Sequence, residues 1–244
     1  MRHNADPATR RDMRRRIALL QGHPDPAGNR LCHALANAYS AGAVEGGHEV
    51  RRVEIAGLDF PLLRTQADFE SGMLPAGLGE AEAAIRWADH LVIIFPLWLG
   101  TMPALLKAFL EQTMRPGIAF AYRPSGLPQK LLKGRSARLV VTMGMPALAY
   151  RWYFLAHGLR AMERNILAFV GIAPIRESLF GNVGGAGPRF SAPYIGASVP
   201  SIGAKRTAST SRVVSFPDAL LSTTMSCCAS FRPAGRTMRP PGLS

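Results

Sequence analysis

IALLQGHPDPAGNRLCHALA, residues 17–36, passes from an apolar run through a loop of two glycines and two prolines into a segment of helical period. Ile17–Leu20 reads as a strand. Arg30–Glu45 reads as a helix, with Leu31, Leu35, Ala38 and Tyr39 on one face. A strand delivered by a short loop into a helix is half of a β–α–β unit, and it decides the fold if the pattern repeats. Asn29 stands where a helix cap is expected, and free N–H groups at a helix start favour an anion. The loop has neither a Gly-Lys-Ser/Thr sequence nor the glycine spacing of a dinucleotide fingerprint. On its residues alone it reads equally well as a plain strand–helix turn.

The pattern does repeat. Gly46-Gly47 ends the first helix, and His48–Ile55 reads as a second strand with Val50, Val53 and Ile55. Ala81–Ala88 follows as a helix, then Leu91–Phe95 as a strand apolar on both sides. Pro103 opens a helix that buries Leu105, Leu106, Phe109 and Leu110. Ala137–Thr142 is a fourth strand. Leu159, Met162, Ile166, Leu167 and Val170 recur at helical spacing, and Ile172–Val183 carries the last strand. Apolar strands alternating with amphipathic helices give an α/β domain, a parallel sheet covered on both faces, over residues 17–183. Residues 184–244 are rich in Ser, Ala, Pro, Gly, Thr and Arg, with apolar density only over 213–221. They read as a low-order, disordered tail. A reading-frame change near 184–195 would produce the same composition. Residues 1–16 read as a disordered arm, or as sequence upstream of a start at Met13.

The formal net charge of +13 suggests a nucleic-acid partner until it is divided along the chain. Residues 1–16 carry +4, residues 184–244 carry +6, and only +3 remains for 17–183. A duplex-binding body needs its basic stripe on the fold, so nucleic acid is not the expected partner. The three cysteines, Cys32, Cys227 and Cys228, show no metal-ligand spacing and point to a reducing compartment. No apolar stretch follows the Arg-rich start, and the longest apolar run, 91–100, is too short for a membrane span. A cytoplasmic protein without a membrane span is expected.

Ligands of open α/β sheets bind at the carboxyl ends of the strands. Besides the first loop, two strand-end loops stand out: Pro96-Leu-Trp-Leu-Gly-Thr-Met102 and Met143-Gly-Met-Pro-Ala-Leu-Ala-Tyr150. Trp98 either caps the core or offers an uncharged wall to an aromatic heterocycle. Gly144 permits close backbone approach. Tyr150 and His157 could form a proton-donor pair, and His157 reads equally as a cap or a core histidine.

Together, "GHPDPAGNRL", "ADHLVIIFPLWLGTMPALLKAF" and "VVTMGMPALAYRWYFLAHGL" resemble the flavodoxin-like NAD(P)H dehydrogenase (quinone) family. That family includes the DT-diaphorases and the ancillary oxidoreductases of bacterial potassium-efflux systems. The resemblance covers residues 15–187 and implies a doubly wound, five-stranded parallel sheet of order 2-1-3-4-5, with a homodimer. It implies FAD, or FMN, as cofactor and NAD(P)H as co-substrate, with two-electron hydride transfer to quinone-like acceptors by a ping-pong route. His23, Asn29 and Arg30 would then face the flavin phosphate and ribityl chain. Pro96, Leu97, Trp98 and Leu99 would line the ring, Thr142, Met143 and Gly144 would pass its other polar atoms, and Tyr150 and His157 would stabilise charge beside it. The serine common in the family's first loop is replaced here by Ala27-Gly28, leaving the phosphate to backbone amides, Asn29 and Arg30. The family's final helix is not visible. The resemblance also admits a flavin-binding subunit docked on a potassium-efflux transporter, or an impaired member lacking that helix.

Overall fold

The computed structural model describes residues 14–183 and the backbone of 212–214. Five parallel strands form the body of the sheet: β1 (Arg16–Gln21), β2 (Glu49–Glu54), β3 (His90–Pro96), β4 (Ser136–Thr142) and β5 (Ile175–Phe180). Their order is β2-β1-β3-β4-β5, the doubly wound order implied by the resemblance. A sixth strand, β6 (Arg212–Val214), lies parallel to β5 at that edge. It falls within the one apolar stretch of the tail. Of the arm expected to be disordered over 1–16, Arg16 opens β1 and Arg14 pairs with Glu49, while residues 1–13 and the remaining tail lie outside the described residues.

Strand alternation sorts the core into two layers. Ile17, Leu19, Val92, Ile94, Val140 and Phe180 share a cluster with Cys32, Leu35, Ala36, Tyr39 and Ala43 of α1 (Leu31–Glu45). Their neighbours Ala18, Leu20, Leu91, Ile93, Leu139 and Val141 enter the opposite layer. That layer is covered by α3 (Gly79–Trp87), α4 (Ala104–Thr113) and a longer helical stretch. The last begins as α6 (His157–Ala161), passes through a π-helical segment, Met162–Leu167, and ends at Ala168–Val170. Each fully buried aliphatic side chain contributes roughly 2 kcal/mol. β3 is buried along its whole length, as a central strand covered on both faces should be. The edge strand β2 buries only Val53, and its Arg51 lies over the Trp87 ring at 4.2 Å.

Two short helices escape the sequence pattern. α2 (Gln66–Ser71) is capped by Thr65, whose hydroxyl accepts the Asp68 N–H at 3.1 Å, and it buries no side chain. α5 (Ala147–Trp152) buries only Ala147 and Tyr150. Pro103 sits at the cap of α4 rather than inside its first turn. The last strand, Ile175–Phe180, is shorter than the 172–183 stretch expected to carry it. Among the described residues, no helix is long and apolar enough to cross a membrane.

Candidate functional site

The loops after β1, β3 and β4 meet at the carboxyl end of the sheet, where the chain order reverses between β1 and β3. Short backbone bonds hold them. Gly22 N–H donates to the Ile94 carbonyl at 2.7 Å, and Leu97 N–H donates to the Thr142 carbonyl at 2.7 Å. Thr142 also reaches α1, its Oγ1 lying 3.3 Å from Cys32 Sγ. Burial pushes the Cys32 thiol up to about 11, so it remains a thiol at neutral pH.

In the first loop His23 is buried and Asn29 is exposed. The helix cap is Arg30, not Asn29. The chain is still extended at Arg30, and His33 Nδ1 accepts the Arg30 N–H at 3.4 Å, a role that needs no Asn29 side chain. The Arg30 guanidinium turns back onto Asp25, with Nε–Oδ2 and N–O contacts of 2.8 Å. His23 Nδ1 accepts the Asp25 N–H at 3.0 Å. Burial first, and then the neighbouring His33, hold the His23 imidazole below its ordinary range, so it is neutral at pH 7. The rings of His23 and His33 lie 5.4 Å apart, and His23 meets Trp98 edge-on at 6.2 Å. Gln21, fully buried at the end of β1, accepts the His23 N–H through Oε1 at 3.0 Å. Its Nε2 finds no partner among the described residues.

The second loop makes a two-residue turn. Trp98 and Thr101 exchange backbone bonds of 2.9 and 3.0 Å, while Leu99 (φ 48°) and Gly100 (φ 79°) occupy the left-handed region between them. The N–H groups of Leu97 and Trp98 are thereby used within the chain. Those of Leu99 and Gly100 stay outside the turn's own bonds. Trp98 is half-exposed, Leu99 fully exposed, and Pro96 is buried as the last residue of β3. In the third loop Gly144 is exposed, and a Cβ added there would meet nothing within 4 Å. Met143, expected beside the ring, is instead 3% exposed and packed in the core, its N–H donating to the Phe180 carbonyl at 2.8 Å.

Tyr150 and His157 are also placed differently from a paired donor. Tyr150 is 1% exposed; its hydroxyl donates to the Gly100 carbonyl at 3.1 Å and accepts the Leu159 N–H at 3.3 Å. Burial holds the phenol above its usual range. His157 is exposed at the first position of α6, after two left-handed residues, Leu155 and Ala156. Tyr150 therefore braces the second loop against α5 and α6. The residues that pattern reading missed are Gln21, His33 and Gly158. A Cβ on Gly158 would stand 2.2 Å from the Gly100 carbonyl oxygen. His33 carried no signal in the sequence, since it lies off the apolar face formed by Leu31, Leu35, Ala38 and Tyr39.

The crevice can hold a flat, uncharged ring and an anion. Trp98 offers a wall, Leu99, Gly100 and Gly144 offer accessible backbone, and the first loop offers imidazole side chains beside a helix start. Among the described residues no cluster of three or more His, Cys, Asp or Glu could hold a metal ion.

A family model described as "Flavodoxin-like fold" matches residues 15–192. An uncharacterised NAD(P)H oxidoreductase of Haemophilus influenzae is 23% identical over 170 residues, covering 68% of this chain and 83% of that protein. An FMN-dependent NADH:quinone oxidoreductase of Bordetella avium is 34% identical over 89 residues, 35% of this chain and 44% of that protein. The latter match thus spans less than half of the relative. A solved NAD(P)H:quinone oxidoreductase from Methanothermobacter marburgensis superposes with a TM-score of 0.59 at 22% identity, covering 70% of this chain and 86% of that one.

Proposed function

The chain belongs to the flavodoxin-like fold family, and from that premise we propose that it is a flavin-dependent NAD(P)H oxidoreductase acting on quinone-type acceptors. One observation carries the reading furthest: three loops meet at the β1/β3 switch point around the half-exposed Trp98, with the His23 and His33 rings at the start of α1. The names of the relatives supply the reaction class. They favour FMN over the FAD that the resemblance suggested. The proposal keeps FMN, which needs only one phosphate at the start of α1.

When bound, the flavin supplies the ring that takes a hydride from NAD(P)H and passes two electrons to the acceptor, which gains its balancing protons from water. The chain's own part is binding and electrostatics. Trp98 and Leu97 wall the ring and exclude water from one edge. The Leu99 and Gly100 N–H groups, unused by the turn's own bonds, would be available to negative charge developing on the bound ring. Gly144 leaves the backbone of the third loop open to the ring's other polar atoms. Tyr150 fixes the second loop through the Gly100 carbonyl, which makes it a positioning residue. His157, exposed at the start of α6, is the proposed partner of the incoming nicotinamide or acceptor.

The reading also carries a cytoplasmic homodimer. Exposed apolar side chains at Trp152, Tyr153, Phe154 and Leu155, beside the second loop, support a second copy over the crevice. The test is reconstitution with FMN, followed by anaerobic addition of NADH or NADPH and then menadione. Bleaching by the nucleotide and recovery of colour with menadione, at a dimer mass by light scattering, is the expected result. A colourless protein that oxidises no NAD(P)H would overturn the reading.

A further inference from the structure

Resting on the flavin reading above, we propose that His33 binds the flavin phosphate jointly with His23, each through its Nε2–H group. A phosphate at a helix start needs donors aimed at it. In this loop two of the usual suppliers, a hydroxyl and a free guanidinium, are missing or occupied. Ala27 and Gly28 carry no hydroxyl, and the Arg30 guanidinium is paired with Asp25. Asp25 in turn accepts the Ala27 N–H at 2.9 Å.

Beside Asn29 and the backbone amides stand the two imidazoles, and the backbone fixes where their protons sit. His23 Nδ1 accepts the Asp25 N–H and His33 Nδ1 accepts the Arg30 N–H. A ring nitrogen that accepts cannot carry the proton, so both rings hold it on Nε2. Adding a second proton to His23 would break the turn bond at Asp25. Burial depresses protonation of His23 in the same direction. Both side chains are about nine-tenths buried or more, 5.4 Å apart, and continue edge-on to Trp98. The row of rings leads from the first turn of α1 to the second loop.

Gln21 supplies an independent observation. Its Oε1 is committed to the His23 N–H, which fixes the amide's orientation, and its Nε2 is buried without a partner among the described residues. A buried donor left without an acceptor is unfavourable. The root of the loop is therefore rich in donors and short of an acceptor, the complement of a phosphate.

Two substitutions separate the ligand role from the structural one. His33→Asn places a carboxamide oxygen near the Nδ1 position, keeping the bond to Arg30 N–H and losing the Nε2–H donor. His33→Gln places an NH₂ near Nε2 and gives up the bond to Arg30. Affinities for FMN and for riboflavin, which lacks the phosphate, are measured by flavin fluorescence on the full chain, with the melting temperature of the apo-protein alongside. His33→Asn is expected to weaken FMN about tenfold, with riboflavin affinity and melting temperature unchanged. His33→Gln is expected to melt lower yet hold FMN within about threefold of the parent. Equal FMN affinity in His33→Asn and the parent, or parallel losses for FMN and riboflavin, would overturn the assignment alone. A parent chain that binds neither flavin would overturn the flavin reading and the assignment with it.

Discussion

At Gly158 there is no room for a side chain: an added Cβ would stand 2.2 Å from the Gly100 carbonyl oxygen and 2.8 Å from Thr101 Cα. The same carbonyl accepts the Tyr150 hydroxyl, so one peptide group of the second loop is gripped from α5 and from α6. Gly158→Ala must push the Trp98–Thr101 turn away from α6. The expected cost is about 2 kcal/mol of stability, with a clear loss of FMN affinity, read by thermal melting and flavin titration. Gly57→Ala, where a Cβ meets nothing within 4 Å, should leave both unchanged. Contacts of this kind were not legible in the sequence. Gly158 and Gly100 are far apart along the chain, in two different motif stretches, and nothing in either stretch pairs them. The shift of the cap from Asn29 to Arg30 was equally hidden, because the structure caps with His33 Nδ1, from inside the helix. What the sequence did announce at this scale was composition: an uncharged tryptophan and three glycine-containing loops at strand ends.

Among the elements, those that bury a periodic apolar face were legible and those that do not were missed. β3 is buried throughout, and α1, α3 and α4 each carry several buried residues. α2 buries none and α5 only two, so no helical period marked them. The start of β3 also stores a pH dependence. His90 is buried where its Nδ1 lies 2.8 Å from Ser136 Oγ. Burial first, then Arg138, Arg15, Arg176 and His48, push its imidazole down to about 4. The unfolded chain protonates this group near 6.5, so between pH 6.5 and 4 it binds more protons than the folded chain, and stability falls as pH falls. The contribution of His90 over that window is about 3 kcal/mol. Urea unfolding at pH 7 and pH 4.5 should show a smaller acid loss in His90→Asn than in the parent. An identical loss in both would remove His90 from the account. The opposite sign holds at Glu163, on the π-helical segment, where burial and a hydrogen bond with Glu177 push the carboxyl up to about 8.

For the molecule as a whole, the order β2-β1-β3-β4-β5 explains why the site lies where it does. The strand order reverses between β1 and β3, which run parallel, so the loops after those strands part and leave a crevice that the loop after β4 closes from the side. This much followed from alternating apolar strands and helices together with the motif resemblance. The small net charge of +3 on residues 17–183, against +13 for the chain, kept the reading away from nucleic acid and toward a small, partly apolar ligand. The occupant of the crevice could not be read from periodicity, since the same sheet serves many ligands and only specific side chains select among them. Amide hydrogen exchange of the full chain, with and without FMN, tests this placement most directly. FMN should slow exchange in three separate segments, residues 22–33, 97–102 and 143–146, and leave the edge strand β2 unchanged. Protection confined to other regions, or none at saturating FMN, would contradict the account.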